Sequence, residues 1–233
     1  MSVWAIIAAA GKSRRMGGKH KLLIQLRGKP VIWWVLKPFE NCRDIEGVII
    51  VAPGELQDKF RQIVDKAEFK KVKQIIPGGP NRQISVHNGI TALPPNAEYV
   101  IVHDGARPFL SSYLLDKVVT IGKKRDAATL AIPVYDSLKR IKSGKVVENM
   151  PREGIWIAQT PQIFKRELLE QAYQQAQKDN FVGTDEVSLV SRLPHPVQII
   201  LGSVENLKLT SPQDLAAADL LIRARQQEVS LGS

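Results

Sequence analysis

Small residues followed by dense positive charge stand near the start of the chain. Residues 8–11, Ala-Ala-Ala-Gly, come directly after a first apolar run. The basic residues that follow are Arg14, Arg15, Lys19 and Lys21. Small side chains let backbone N–H groups approach a phosphate closely, and basic side chains supply compensating charge. The spacing matches neither a Walker A motif nor a dinucleotide fingerprint. The pattern predicts a phosphate-binding loop, the alternative being a tight turn with solvated basic side chains.

A second group of candidate residues, His-Asp-Gly-Ala-Arg-Pro at 103–108, ends the fourth apolar run. An acidic side chain at a strand end, here Asp104, can hold a divalent cation or a substrate hydroxyl. Arg107 can bind a phosphate through two parallel hydrogen bonds. Alternatively, Asp104 caps a turn and pairs with Arg107. His103 is expected to pack at the strand end rather than to act in catalysis.

A third group, at 78–86, lies between the third apolar run and a helical segment. Its two adjacent glycines, Gly78 and Gly79, permit a nucleobase to lie against the backbone, and the Ser85 hydroxyl can contact the edge of that base. The simpler alternative is a Gly-Gly turn that leads into a helix. All three groups follow predicted strands, so the arrangement of those strands decides whether the groups can meet.

Short apolar runs alternate with longer amphipathic segments along the first half of the chain. The predicted strands are 3–9, 46–52, 72–76, 99–103 and 127–133, and the predicted helices are 31–41, 55–67, 82–93 and 111–124. This alternation predicts an α/β fold with a mostly parallel central sheet and helices on both faces. In such folds ligands bind beyond the carboxyl ends of the strands, which is where the three groups lie.

The alternation breaks after Pro133. Residues 136–149 resemble two short strands around a Ser-Gly turn, which predicts a β-hairpin. Further helices are predicted at 165–178 and 185–192, with a strand near 197–201 and an extended piece at 206–209. The last helix is expected to start with Ser211 as N-cap, Pro212 in the first position and Asp214 in the third.

Composition and charge narrow the class of protein. The chain has 233 residues, 33 Lys and Arg against 23 Asp and Glu, and one cysteine, which excludes a disulfide framework and a multi-cysteine metal site. A charge of +10 attracts anions, but no recognisable nucleic-acid-binding module accompanies it. No apolar run approaches the ~20 residues that cross a bilayer. No basic segment precedes the first apolar run, as it would in a signal peptide. We expect a cytoplasmic protein with no nucleic-acid or membrane partner.

No linker is visible, so residues 1–233 are expected to form one domain, with 134–154 as a protruding β-arm.

The three groups, in this order, resemble the 2-C-methyl-D-erythritol 4-phosphate cytidylyltransferase family. The resemblance continues through segments 133–140, 156–162, 184–186 and 206–210, and so spans residues 3 to about 222. It implies a Rossmann-like nucleotidyltransferase fold. It also implies a Mg²⁺-dependent reaction in which the phosphate of the polyol substrate attacks the α-phosphorus of CTP in line, giving a cytidine-diphosphate alcohol and pyrophosphate. A homodimer is implied as well, with the β-arm reaching the partner subunit.

The resemblance also implies roles for individual residues. The catalytic residues are Arg15 and Lys21, which stabilise charge on the α-phosphate and the leaving pyrophosphate, and Arg152 and Lys208, which grip and aim the substrate phosphate. Nucleotide-binding roles fall to Ala9, Ala10, Gly11, Gly79, Arg82, Ser85, Asp104 and Gly105. Substrate-binding roles fall to Asp104, Arg107, Ser137, Arg152, Thr184 and Lys208. Asp104 is the implied metal ligand, Arg82 is expected to support the glycine loop, and Arg152 is expected to serve the neighbouring subunit.

Two alternatives stay open. Thr184 is either a substrate contact or merely the N-cap of the helix that follows it. The activity is either the methylerythritol reaction or that of a ribitol-5-phosphate cytidylyltransferase for cell-wall polymer synthesis, because the two would share the fold and the CTP site. The sequence also departs from the family pattern, with Gly105 in place of a usual alanine and Ser137 in place of a usual threonine.

Overall fold

A seven-stranded sheet forms the centre of the computed structural model, which describes residues 1–11 and 20–231 and the side chains as far as residue 224. The strands, in chain order, are β1 (Val3–Ala8), β2 (Gln25–Leu26), β3 (Lys29–Pro30), β4 (Ile45–Ala52), β5 (Val72–Pro77), β6 (Tyr99–Asp104), β7 (Ala127–Pro133), β8 (Leu138–Lys142), β9 (Lys145–Met150), β10 (Trp156–Lys165) and β11 (Gln198–Leu201). The helices are α1 (Val31–Asn41), α2 (Gln57–Lys66), α3 (Arg82–Thr91), α4 (Ser112–Arg125), α5 (Arg166–Lys178), α6 (Glu186–Val190) and α7 (Pro212–Leu231).

The strand order of the central sheet is β11-β7-β10-β6-β1-β4-β5. Strand β10 runs antiparallel to both of its neighbours, β6 and β7. The other pairs of neighbours are parallel. The prediction of a mostly parallel sheet is therefore confirmed, and the carboxyl ends of β1, β4, β5 and β6 meet at one edge.

Side chains that alternate along β1 show that helices cover both faces of the sheet. Val3, Ala5 and Ile7 belong to one apolar cluster, together with buried residues of α1, α2, α4 and α7. Trp4 and Ile6 point the other way, into a cluster with buried residues of α3, α5 and α6. The two clusters bury β1 from Val3 to Ile7, and the loop after it lies at the edge of the sheet.

Strand β10 is the main element that the sequence pattern did not predict. The polar run at residues 159–162, which contains Pro161, interrupts an otherwise apolar segment, and a proline usually argues against a central strand. In the structure the pairing with β7 shifts register between Ala158 and Gln162, so Pro161 lies in this irregularity rather than in the regular ladder. The apolar residues on either side, Ile157 and Ile163, remain paired with β7.

The predicted hairpin after Pro133 is confirmed. Strands β8 and β9 form a separate two-stranded antiparallel sheet. Ser143 and Gly144 both have positive φ values, +50° and +77°, as a type I′ turn between two twisted strands requires. Most residues of the two strands are exposed, so the hairpin projects from the central sheet. The single domain over residues 1–233 stays a prediction.

The predicted helices are confirmed with small shifts at their ends. A short 3-10 turn, Gly54–Leu56, takes up the start of the predicted second helix, so that α2 begins at Gln57. The last helix begins at Pro212 as expected, and the Asp214 carboxylate accepts the backbone N–H of Ser211 at 2.8 Å. None of the helices that the structure describes combines the length and the hydropathy that a bilayer span requires.

Helix α4 packs against β10 at a glycine, which allows a test of this contact. A Cβ atom at Gly122 would lie 2.3 Å from Cγ2 of Ile163, whose side chain is fully buried. We expect Gly122→Ala to lower the free energy of unfolding by about 1–2 kcal/mol, because overpacking outweighs the better helix propensity of alanine. Denaturant unfolding measures this change. The matched control is Gly54→Ala, where the new Cβ meets nothing within 4 Å; equal effects at the two sites would contradict the prediction.

Candidate active site

The three loops singled out by their residue types meet at the carboxyl edge of the sheet. Gly105, after β6, donates its N–H to the carbonyl oxygen of Ala8 at 3.0 Å. A Cβ at Gly105 would lie 3.1 Å from the same oxygen, so the alanine that is usual here would fit tightly. A Cβ at Gly78 would lie 2.3 Å from Cβ of Ala10, so the loop after β5 touches the loop after β1 as well. The sheet thus assembles one site from three separate segments.

Three basic side chains surround the Asp104 carboxylate, whose side chain is only 10% exposed. Oδ2 of Asp104 lies 2.6 Å from Nζ of Lys208 and 3.8 Å from Nε of Arg107. Oδ1 lies 3.2 Å from Nε of Arg82. Burial by itself would raise the pKa of Asp104, but the positive charges of Arg82, Lys208 and Arg107 outweigh burial and hold that pKa well below its usual range. Asp104 is therefore an anion at any physiological pH.

Arg82 makes its strongest contacts away from the glycine loop. Its two terminal nitrogens donate to the two carboxylate oxygens of Glu186 at 2.8 and 2.9 Å, in a bidentate pair. Its third nitrogen, Nε, donates to Asp104. Arg82 thus joins α3 to the end of β6 and to α6.

The glycine loop is fixed by the side chains that begin α3. The buried Ser85 hydroxyl accepts the N–H of Gly79 at 3.0 Å and donates to the carbonyl oxygen of Asn81 at 2.7 Å. The Asn81 side chain caps α3 by accepting the N–H of Ile84. Ser85 therefore sets the conformation of the loop, and its predicted contact with a nucleobase stays a prediction.

Residues 206–209 bring further basic side chains to the same place. Nζ of Lys21 donates to the carbonyl oxygen of Leu209 at 2.9 Å, and Nη1 of Arg107 donates to the carbonyl oxygen of Asn206 at 2.7 Å. The fully buried Asn206 side chain donates in turn to the carbonyl oxygen of Thr160 at 2.8 Å. Lys208 lies between these anchors. The segment thus anchors Lys21 and Arg107 through its backbone carbonyl oxygens, while its own Lys208 pairs with Asp104.

His103 is a structural residue of this site, as expected. The Thr160 hydroxyl accepts the N–H of Asp104 at 3.0 Å and donates to Nδ1 of His103 at 3.1 Å. Nε2–H of His103 then donates to the carbonyl oxygen of Arg107 at 3.1 Å. Burial lowers the pKa of His103 to about 4, so the ring is neutral and has a single tautomer.

Other predicted site residues lie outside this cluster. Ser137, Arg152 and Thr184 are exposed, and Arg152 donates to the carbonyl oxygen of Tyr135 at the base of the hairpin. Arg15 lies outside the described residues. Ala9 and Ala10 belong to the first loop described above, and Gly11 follows them with an exposed backbone.

The alternative role of Thr184 as a helix cap is wrong. Asp185 is the N-cap of α6, and its carboxylate accepts the N–H of Ser188 at 3.0 Å. The Ser188 hydroxyl completes a capping box with the Asp185 N–H. The N-cap is thus Asp185, one residue after Thr184, and Thr184 keeps only its predicted role as a substrate contact.

Sequence reasoning assigned no role to several buried polar residues that hold the site together, namely Thr160, Gln162, Tyr173, Glu186 and Asn206. Their roles were hard to recognise in the sequence because each is a single polar residue within an apolar segment or within one of the motifs. For Glu186 a usable signal exists. It is an acidic residue directly after the helix cap, in a helix whose other buried residues, Leu189 and Val190, are apolar.

The donor set at Asp104 fits a divalent cation that arrives with a triphosphate. Within residues 1–11 and 20–231, no group of three His, Cys, Asp or Glu side chains forms a metal site of its own. Mg²⁺, however, is commonly held by one or two carboxylates together with substrate phosphates and water. Asp104 can supply that one carboxylate, provided that the metal replaces Lys208 as the partner of Oδ2.

A family model described as 2-C-methyl-D-erythritol 4-phosphate cytidylyltransferase matches residues 3–224. The chain belongs to this family. A protein of that name from Pelotomaculum thermopropionicum is 42% identical over 228 residues, which cover 96% of this chain and 95% of the relative. One from Bacillus velezensis is 39% identical over 226 residues, covering 96% and 97%. The resemblance drawn from the motifs is thereby confirmed.

The folds of solved structures support the assignment to the cytidylyltransferase family. The structure of 4-diphosphocytidyl-2C-methyl-D-erythritol synthase from Anaerococcus prevotii has a TM-score of 0.83 at 28% identity and covers 95% of this chain and 98% of that one. A 2-C-methyl-D-erythritol 4-phosphate cytidylyltransferase from Thermus thermophilus has a TM-score of 0.80 at 31% identity, covering 96% and 100%. The predicted nucleotidyltransferase fold is confirmed, and the ribitol phosphate alternative is not favoured.

The neutral His103 gives the cytidylyltransferase a predictable response to acid. Its pKa of about 4 in the folded protein lies below the ordinary 6.5, so the unfolded chain binds the proton more readily. Stability is therefore lost as the pH falls from about 6.5 to about 4, by up to about 3 kcal/mol. Unfolding free energies across this range should show a steeper slope for the wild type than for His103→Gln. Identical slopes would refute the assignment.

Proposed function

We propose that the cluster around Asp104 transfers the cytidylyl group of CTP to 2-C-methyl-D-erythritol 4-phosphate. The products are 4-diphosphocytidyl-2-C-methyl-D-erythritol and pyrophosphate. Membership of the family supports this activity. The structural observation that supports the location is the convergence of Arg82, Arg107 and Lys208 on one nearly buried carboxylate, beside three loops at the carboxyl edge of the sheet.

The reaction asks the protein mainly for position and positive charge. An oxygen of the substrate phosphate forms a bond to the α-phosphorus of CTP, and the bond from that phosphorus to the bridging oxygen of the β-phosphate breaks in line. Negative charge grows on the α-phosphate and on the leaving pyrophosphate. Lys21, together with Arg15, stabilises this charge, since preorganised cations act strongly where water is excluded. Lys208 holds the attacking phosphate.

The nucleotide lies along the loops after β1 and β5. Backbone N–H groups at Ala9, Ala10 and Gly11 wrap the triphosphate. The loop at Gly79, held in shape by Ser85, receives the cytosine ring. Arg82 and Gly105 complete this side of the pocket, because one pairs with Asp104 and the other directly follows it.

A divalent cation, Mg²⁺, neutralises part of the triphosphate charge when it is bound. Asp104 is the residue that holds it. The Lys208 side chain, which is 41% exposed, has room to leave Asp104 and to turn towards the substrate phosphate. The polyol phosphate lies on the other side of the pocket, in contact with Asp104, Arg107, Ser137 and Thr184.

We further propose that the enzyme is a cytoplasmic homodimer in which the hairpin contacts the partner subunit. Apolar side chains on the hairpin support this, because Ile141, Val146 and Val147 are each more than half exposed. Arg152 stands beside the base of the hairpin, bonded to Tyr135. This place fits a role in the site of the neighbouring subunit. Nucleic acid and membranes are not partners in this proposal.

The activity is tested by pyrophosphate release from CTP and Mg²⁺, with 2-C-methyl-D-erythritol 4-phosphate and ribitol 5-phosphate as parallel acceptors. We expect release with the first acceptor and little with the second. Lys208→Ala should lower kcat/KM by about 10²-fold or more, because it removes a preorganised cation from the attacking phosphate. Lys59→Ala, a change at an exposed lysine of α2, is the matched control. Turnover of ribitol 5-phosphate alone would overturn the proposed substrate.

The dimer is tested by mixing two inactive variants, Arg152→Ala and Lys208→Ala. In a mixed dimer one site has its own Lys208 and receives Arg152 from the other subunit, while the second site lacks both. Refolding the variants together should therefore recover about a quarter of the wild-type activity by statistical assortment. No recovery, from dimers that two different affinity tags show to be mixed, would place Arg152 in its own subunit's site.

A further inference from the structure

A second carboxylate, Glu186, controls the direction of the Arg82 guanidinium. Both terminal nitrogens of Arg82 are engaged by Glu186, so the end of the planar group is fixed at two points. Only Nε then faces Asp104, where it makes one hydrogen bond of 3.2 Å. None of the roles proposed above uses Glu186.

Glu186 is itself held in place from several sides. Its side chain is 1% exposed, and Oε1 accepts the hydroxyl of Tyr173 at 3.1 Å. Its backbone N–H and that of Val187 donate to Oε1 of Gln162, both at 3.2 Å. Gln162 belongs to β10 and pairs with Val102 of β6. The position of Glu186 is thus tied to the strand that ends at Asp104.

The charges explain why a carboxylate is needed here. Arg82, Arg107 and Lys208 are three cations, and Asp104 and Glu186 are the two anions among them. If Glu186 were neutral, Asp104 would be the only anion that the described residues place in an ion pair with Arg82. The guanidinium would then be free to turn and give Asp104 two parallel hydrogen bonds, the geometry that arginine and carboxylate prefer. Both oxygens of Asp104 would be occupied by one arginine.

We propose that Glu186 is a positioning residue that restricts Arg82 to a single hydrogen bond with Asp104 and so keeps Asp104 available to the complex of CTP with a divalent cation. Tyr173 supports it by fixing one oxygen of its carboxylate. This inference rests on the proposed function of Asp104. It predicts that changes at Glu186, although buried on the far side of Arg82, alter the metal dependence of nucleotide binding.

The test measures binding rather than turnover, since CTP is not consumed without an acceptor. Calorimetric titration of CTP, with and without Mg²⁺, gives the factor by which the metal strengthens binding. We expect Glu186→Gln to reduce this factor about tenfold or more, as is typical when an outer partner of a metal ligand is lost. Tyr173→Phe should reduce it about threefold, because both charges remain. Binding of CTP without metal should change less than about twofold.

Glu170→Gln is the matched control. It makes the same chemical change on α5, where Glu170 pairs with Arg166 at 2.7 Å but is 38% exposed. A merely structural role for Glu186 would lower the melting temperature and weaken CTP binding equally with and without Mg²⁺, and this result would overturn the inference. If Glu186→Gln does not fold, Tyr173→Phe provides the test instead. An unchanged strengthening of CTP binding by Mg²⁺ in that variant would also overturn the inference.

The variant Asp104→Asn distinguishes a failure of the proposed function from a failure of the inference about Glu186. Loss of the metal effect in Asp104→Asn, with Glu186→Gln and Tyr173→Phe both behaving like Glu170→Gln, would leave the proposed function standing and the role of Glu186 wrong. An undiminished metal effect in Asp104→Asn would remove the metal-binding role of Asp104, and the inference with it. Reduced metal factors in all three variants are the expected outcome.

Discussion

A carboxylate that stays charged while almost closed to water sets the main constraint on this molecule. The Asp104 side chain is only 10% exposed, and such an anion is unfavourable unless cations and hydrogen-bond donors surround it. Arg82, Arg107 and Lys208 meet that need, and the two arginines then need further acceptors for their remaining N–H groups. Glu186 and the carbonyl oxygen of Asn206 supply these. The polar residues at this edge of the sheet thus form one mutually dependent network, which is costly to leave half formed.

The topology of the sheet explains how such a network can be assembled from distant parts of the chain. Because β1 and β6 are parallel neighbours, the loops after them are in contact without any help from side chains. The antiparallel strand β10 lies on the other side of β6 and brings Thr160 and Gln162 to the same place. Gln162 positions α6 and Asn206 bonds to Thr160, so this strand connects the C-terminal half of the chain to the candidate site.

Much of this arrangement was predictable from the sequence, and the rest was not for a physical reason. Apolar periodicity predicted five strands of the central sheet, β1, β4, β5, β6 and β7, and the helices on both faces, and the loops of small residues indicated the edge where the candidate site lies. The pattern missed β10, since Pro161 and its polar neighbours obscure a buried strand. It also missed the pairing of Arg82 with Glu186, which are 104 residues apart, because long-range ion pairs leave no local periodicity. Thr184 failed as a cap because the adjacent Asp185 is the better acceptor.

The ion pair between Lys208 and Asp104 has a thermodynamic consequence. At 2.6 Å from Oδ2 the lysine occupies the oxygen that the metal would require, while the same ammonium group is assigned to the acceptor phosphate. Each ligand that separates the pair makes it easier for the other to bind. The two substrates would then show positive cooperativity, and linkage requires that the enhancement be the same whichever one binds first. The empty enzyme would be self-inhibited by its own lysine, and full affinity would appear only in the ternary complex.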